Sequence, residues 1–147
     1  MDLTMGNPYV NPHVNRPYRK GPYVPPEPPM TGVERMLSGV RQVAAAVPEL
    51  PVVASAMSYL GMDAPADAAG CIEKGWFSLA GFGRMSFAYP DFAKDVCEKG
   101  HLDRWQICAA CSKCTELMRN GGTTGCVLHD AQIYVPLYRN YVMEKET

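Results

Sequence analysis

The chain has 147 residues, with 14 Lys+Arg against 15 Asp+Glu, 47% hydrophobic and 20% charged residues. This balance excludes disorder by composition and a polycation built to hold nucleic acid, and the length suffices for one domain. There is no stretch of about 18 consecutive apolar residues and no basic-then-apolar start, so neither a membrane span nor a secretory leader is expected and the chain reads as cytoplasmic.

Asp2 to Met5 (DLTM) reads as a short strand at the start of the chain. Gly6 to Met30 has neither a helical nor an alternating period and carries eight prolines between Pro8 and Pro29. Proline removes N–H donors and pushes the preceding residue towards extended backbone, so this segment is expected to be one long loop. Loops of that length are usually functional or disordered, and the aromatic and basic residues Tyr9, His13, Arg16, Tyr18 and Tyr23 favour function. Thr31-Gly-Val-Glu34 has the form of a capping box. Val33, Met36, Leu37, Val40, Val43, Ala44 and Val47 then recur on one helical face as far as Pro48.

Pro51 to Met57 (PVVASAM) is an apolar run of the kind found in a parallel strand buried on both faces. Asp63 and Pro65 suit the start of a helix over 66–74, with Gly75 just beyond its end. Phe77 to Gly81 gives a third buried strand, followed by Gly83-Arg84. Strands alternating with helices imply parallel crossover units. A further helix over 91–98 ends at Gly100. After it the pattern becomes a cysteine-bearing loop, a short helix near 113–119, a glycine turn and an aromatic tail.

Three of the six cysteines lie within seven residues, and the full spacing is Cys108-x2-Cys111-x2-Cys114-x11-Cys126. A close triplet with a fourth, distant thiolate suits a [4Fe–4S] cluster, whose corner irons each need one sulfur ligand. Structural zinc also accepts four cysteines, although two separated C-x2-C pairs are its more usual pattern. Disulfides are the remaining reading. Cys71 and Cys97 fall at helical positions and read as ordinary small buried residues. His101 and His129, which flank the cysteines, read as structural or exposed, and Trp76 and Trp105 as packing residues.

Gly83-Arg84 after a parallel strand is a weak signal in isolation. In a (β/α)8 barrel, however, the loops after strands seven and eight commonly bind phosphate through backbone N–H groups, and an arginine there adds charge-assisted hydrogen bonds.

The stretch Gly81-FGRMSFAYPDFAKDV, followed by the cysteine pattern, resembles the C-terminal part of the NADH:flavin oxidoreductases of the old yellow enzyme family. The likeness is to the iron–sulfur branch containing 2,4-dienoyl-CoA reductase and trimethylamine dehydrogenase. It implies an α/β fold made of the C-terminal three βα units, strands six to eight, of a (β/α)8 TIM barrel. A partial barrel over 1–100, with its long loop at 6–30, would precede a cluster-binding segment and tail over 101–147. It implies FMN, whose phosphate would lie on Ser55, Ala56, Gly83 and Arg84; many relatives have glycine near Ala56. It also implies a [4Fe–4S] cluster on Cys108, Cys111, Cys114 and Cys126, and NAD(P)H as electron donor.

His13-Val-Asn-Arg16-Pro17 is similar to a His-x-x-Arg segment near the flavin in that branch. The resemblance thus makes His13 a proton donor or carbonyl anchor and Arg16 a charge stabiliser, against the alternative of a solvated loop histidine and a surface arginine. Tyr9, Tyr18 and Tyr23 would line a substrate slot or pack on the prolines. A small-molecule substrate with an activated C=C bond is implied, and neither nucleic acid nor a membrane is an expected partner. The first five strands of such a barrel have no counterpart in the chain. An N-terminal barrel half or a homo-oligomer partner is therefore expected to complete it, and the chain by itself is expected to be inactive. The other readings of the whole are a non-catalytic truncated fragment and a zinc-stabilised structural or interaction module.

Overall fold

The computed structural model describes residues 1–5, 17 and 24–144. His13, Arg16, Tyr9, Tyr18 and Tyr23, together with most of the long loop, lie outside the described residues.

Three short parallel strands form the sheet: β1 (Asp2–Leu3), β2 (Val53–Ala54) and β3 (Leu79–Ala80), in that spatial order. Helix α1 (Pro29–Ala46) separates β1 from β2, and α2 (Ala64–Glu73) separates β2 from β3. After β3 come α3 (Gly83–Ala88), α4 (Phe92–Lys99), α5 (Lys113–Arg119) and α6 (Ala131–Tyr138), the last running into a π-helical turn over Arg139–Met143. The expected strand–helix alternation and parallel pairing are present.

The strands are shorter than the apolar runs that announce them. Asp2 pairs with Val53 and Val53 with Leu79; Leu3 pairs with Ala54 and Ala54 with Ala80. Because side chains alternate along a strand, Leu3, Ala54 and Ala80 share one face and Asp2, Val53 and Leu79 the other. The first face joins the core of Val40, Val52, Ala54, Met57, Ala68 and Phe77 under α1 and α2. The second is only half covered: Leu79 is 55% exposed and Val53 is half-buried. The expectation of strands buried on both faces is therefore corrected, since Leu79 on the second face is exposed and, among the described residues, the helices pack on the first.

Helix α1 buries Val33, Met36 and Val40, the face that its periodicity predicts, but it begins two residues before Thr31. Pro28 and Pro29 preset the entry, and the Thr31 N–H donates to Pro28 O at 3.0 Å, so Thr31 lies inside the first turn and no side-chain cap forms. Asp63 likewise precedes α2 without a side-chain cap. Gly75 and Gly100 end α2 and α4 with positive φ, as expected. The aromatic tail is helical, with Pro136 inside α6; the proline and aromatics hide its period.

Two packing expectations fail. Trp105 is 76% exposed, its indole lying under the Arg104 guanidinium at 4.8 Å, and Cys97 is exposed on α4. Trp76 does pack, half-buried between Arg41 at 5.0 Å and Lys74 at 5.5 Å.

A second core of Met85, Tyr89 and Leu102, backed by Phe82, Phe92, Val96, Ile107 and Cys108, joins α3 and α4 to the start of the cysteine loop. The buried Tyr89 hydroxyl donates to Asp95, whose other carboxylate oxygen receives Lys99 Nζ at 2.8 Å. The Asp103 N–H donates to Tyr89 Oη at 3.4 Å. The Lys99 ammonium and then the Tyr89 hydroxyl hold the Asp95 carboxyl below its ordinary range, and the same contacts with Asp95 push Lys99 and Tyr89 up. Asp95, depressed in the folded state, stabilises above the ordinary carboxylate range and ceases to do so as pH falls through its depressed value. Lys99 and Tyr89, both raised, stabilise below their ordinary values and cease to do so as pH rises through the raised ones. Thermal melting is therefore expected to show a plateau at neutral pH with falling acid and alkaline limbs, and Asp95→Asn should flatten the acid limb. An acid limb identical to that of the wild type would remove Asp95 from this role.

Candidate functional site

The C-terminal ends of β2 and β3 meet. The Gly81 N–H donates to Ala54 O at 2.7 Å, and a Cβ at Gly81 would stand 3.3 Å from that oxygen, 3.3 Å from Val53 Cγ1 and 3.4 Å from Ser55 Oγ. Glycine there lets the two strand ends close up. Ser55 Oγ therefore lies beside Gly81, two residues before Gly83. Ala56 has φ 75, the left-handed region in which glycine is least strained.

Gly83 and Arg84 open the first turn of α3, where a helix supplies no carbonyl partners to its N–H groups. A Cβ at Gly83 would meet nothing within 4 Å, so the turn borders open space. The Met85 N–H, next along, is capped by the buried Ser58 hydroxyl at 3.0 Å. Two of the four phosphate candidates already bond within the protein. Ser55 Oγ donates to Asp2 Oδ1 at 2.9 Å, and Arg84 donates to Pro17 O at 2.8 Å and to Ser112 Oγ at 3.5 Å. A guanidinium has five N–H donors, so these contacts leave capacity for an anion.

The four candidate cysteines are free thiols, each half-buried. Cys108 feels the charges of Cys114 and Cys111, and Cys114 those of Cys111 and Cys126. Among the described residues, no three His, Cys, Asp or Glu side chains are already drawn together as a ligand set for a metal ion. Burial pushes the thiols of Cys108 and Cys114 up. The Ala110 N–H at Cys108, the Thr115 hydroxyl at Cys114 and the Arg84 charge at both oppose this.

Three features of the loop suit a thiolate-held group. The Ala110 N–H donates to Cys108 Sγ and the His129 N–H to Cys126 Sγ, each at 3.4 Å; hydrogen bonds to sulfur are among the means by which proteins tune such clusters. Ala110 and Ser112 both have positive φ, at 51 and 64, so the backbone winds around the triplet in the kind of turn that concentrates N–H groups on an anionic centre. The Thr124 hydroxyl, two residues before Cys126, is buried without a hydrogen-bond partner. In donor chemistry the residues present thus fit an iron–sulfur group.

Ser58, Ser112 and Thr124 were not legible as site residues. Ser112, inside the triplet's second spacer, offered the one available signal. His101 is exposed with Nδ1 at 3.2 Å from Leu102 O, and His129 is exposed with Nε2 at 3.1 Å from Ile107 O, so each ring is held by backbone, as a structural role requires.

The class that these observations define is a mixed α/β chain whose parallel strands end beside a glycine-arginine turn and a four-cysteine loop. No family model matches the chain, and no curated protein or solved structure matches it either. Among the described residues no helix is long and apolar enough to cross a membrane.

Proposed function

We propose that this chain is the C-terminal, three-unit part of an FMN- and [4Fe–4S]-dependent NAD(P)H oxidoreductase of the old yellow enzyme type, working in the cytoplasm on an activated C=C bond. The observation that carries this reading is the meeting of its two most specific motifs. Arg84, in the glycine-arginine turn after β3, reaches Ser112 inside the cysteine triplet. A phosphate site and a thiolate site side by side at the ends of parallel strands are what the joint use of a flavin and a cluster needs.

In this reading Ser55, Ala56, Gly83 and Arg84 hold the phosphate, and Cys108, Cys111, Cys114 and Cys126 hold the cluster. When bound, FMN and the cluster together supply hydride and single-electron chemistry. His13 provides a proton or holds the substrate's carbonyl oxygen, and Arg16 steadies the charge that develops there. The exposed Leu79 and half-buried Val53 on the open sheet face support a further requirement. Additional strand–helix units or a second copy must cover that face, because apolar side chains on an uncovered sheet invite association.

The test is anaerobic purification followed by iron, acid-labile sulfide, zinc and flavin analysis. Iron and sulfide in equal amounts, with quenching of added FMN fluorescence, are the expected result. A colourless protein holding one zinc per chain, with FMN unquenched, would overturn the proposal in favour of a zinc-stabilised module. Gly83→Leu separates binding from folding. Its side chain enters open space, so melting should shift by no more than about 0.5 kcal/mol in stability, whereas FMN affinity should fall at least about tenfold through steric exclusion of the phosphate.

A further inference from the structure

We infer that Arg84 is a positioning residue for the cysteine loop, tying the triplet that carries three of the four thiols to the end of β3 and to the long loop at Pro17. The tie is built from contacts distant in sequence. One guanidinium nitrogen donates to Ser112 Oγ, between Cys111 and Cys114, and the other to Pro17 O at 2.8 Å. Ser112 and Pro17 are both buried, so the guanidinium is braced from two sides.

The next residue strengthens the attachment. Met85 is fully buried, its sulfur accepts the Cys108 N–H at 3.4 Å, and its own N–H is fixed by Ser58. Consecutive residues of α3 thus hold the loop at two points, Cys108 and Ser112, which span most of the triplet. Ser112 has φ 64, a conformation that a non-glycine residue keeps only where its surroundings enforce it; the Arg84 contact is one such constraint.

The role is distinct from holding a flavin phosphate, and it predicts that the turn and the loop are coupled. A planar fork with donors on both edges can keep two protein partners in fixed directions and still face an anion. The part of the inference that concerns a cluster rests on the function proposed above; the tie itself does not.

The test compares wild type with Arg84→Gln, Arg84→Lys and Ser112→Ala. The first readout is amide hydrogen exchange over 108–114 in the metal-free chain, with α1 as internal reference. Exchange in the loop should rise about tenfold in Arg84→Gln and by a smaller factor in Ser112→Ala, with α1 unchanged; Arg84→Lys should fall between wild type and Arg84→Gln. The second readout is iron and acid-labile sulfide retained after anaerobic reconstitution, expected to fall by more than half in Arg84→Gln. Wild-type loop exchange in both Arg84→Gln and Ser112→Ala would overturn the tie, whatever the iron content. A wild-type chain that takes up no iron or sulfide, together with a loosened loop in the variants, would retain the tie and remove the cluster. Should Arg84→Gln fail to fold, Ser112→Ala decides alone, because it deletes one hydroxyl and leaves the guanidinium in place.

Discussion

Replacing any one of Cys108, Cys111, Cys114 or Cys126 by serine is expected to strip the anaerobically prepared protein of most of its iron, acid-labile sulfide and visible absorption. Loss of even an outer-shell partner commonly lowers metal affinity by about 10–100-fold, and loss of a ligand itself is no milder. Cys97→Ser supplies the control: Cys97 is exposed on α4 and outside the four-cysteine spacing, and its replacement should leave iron content unchanged. The contrast has a specific physical basis. Two of the four thiols, Cys108 and Cys126, receive backbone N–H groups, and Cys108 and Cys114 are desolvated enough for burial to raise their thiols. Equal iron in the wild type and all four serine variants would exclude the loop as the metal centre.

Gly125→Ala is the second substitution with a large expected effect. Gly125 is buried next to Cys126, and the methyl group would enter the ring of Tyr134 on α6. Overpacking of this kind typically costs about 1–3 kcal/mol, because ring or backbone must move. Tyr134 resists movement because its N–H is held by Asp130 O at 3.0 Å at the start of α6, and the Asp130 N–H is in turn held by Cys126 O at 3.0 Å. The displacement should pass directly to the fourth thiol, lowering both the melting midpoint and the retained iron. Adding Tyr134→Ala opens the space and should recover part of the loss, a non-additivity that a general folding defect would not give. A Gly125→Ala protein with wild-type melting and iron content would show that the Tyr134 contact carries none of this load.

These expectations rest on features of unequal visibility in the sequence. Helix α5 falls where its residues predict, α1 buries the face that its periodicity marks, and Gly75 and Gly100 stop their helices because positive φ is least costly for glycine. Helix α1 starts ahead of the Thr31–Glu34 pattern because two consecutive prolines, Pro28 and Pro29, preset its entry. The strands were drawn too long because an apolar run marks burial as well as pairing. Val52 and Met57 are fully buried yet flank a two-residue strand, and Ala56 turns the chain out of the sheet. Helix α6 was hidden by an interior proline.

Local chemistry by itself determined where the three strands and helices α1, α2, α4 and α5 fall and the grouping of three thiols within one loop. Each of these depends on residues a few positions apart, where propensity, turn chemistry and spacing act directly. Only the tertiary structure decided what the functional side chains touch. Arg84 meets Ser112 28 residues later and Pro17 67 residues earlier, and Ser55 meets Asp2 across 53 residues. No periodicity encodes such partners, because they are selected by how the sheet, α3 and the cysteine loop pack. The same packing leaves Leu79 open on one sheet face while Ala54 is sealed on the other. Two faces of one short sheet thereby differ: Ala54 belongs to the core, whereas Leu79 stays exposed.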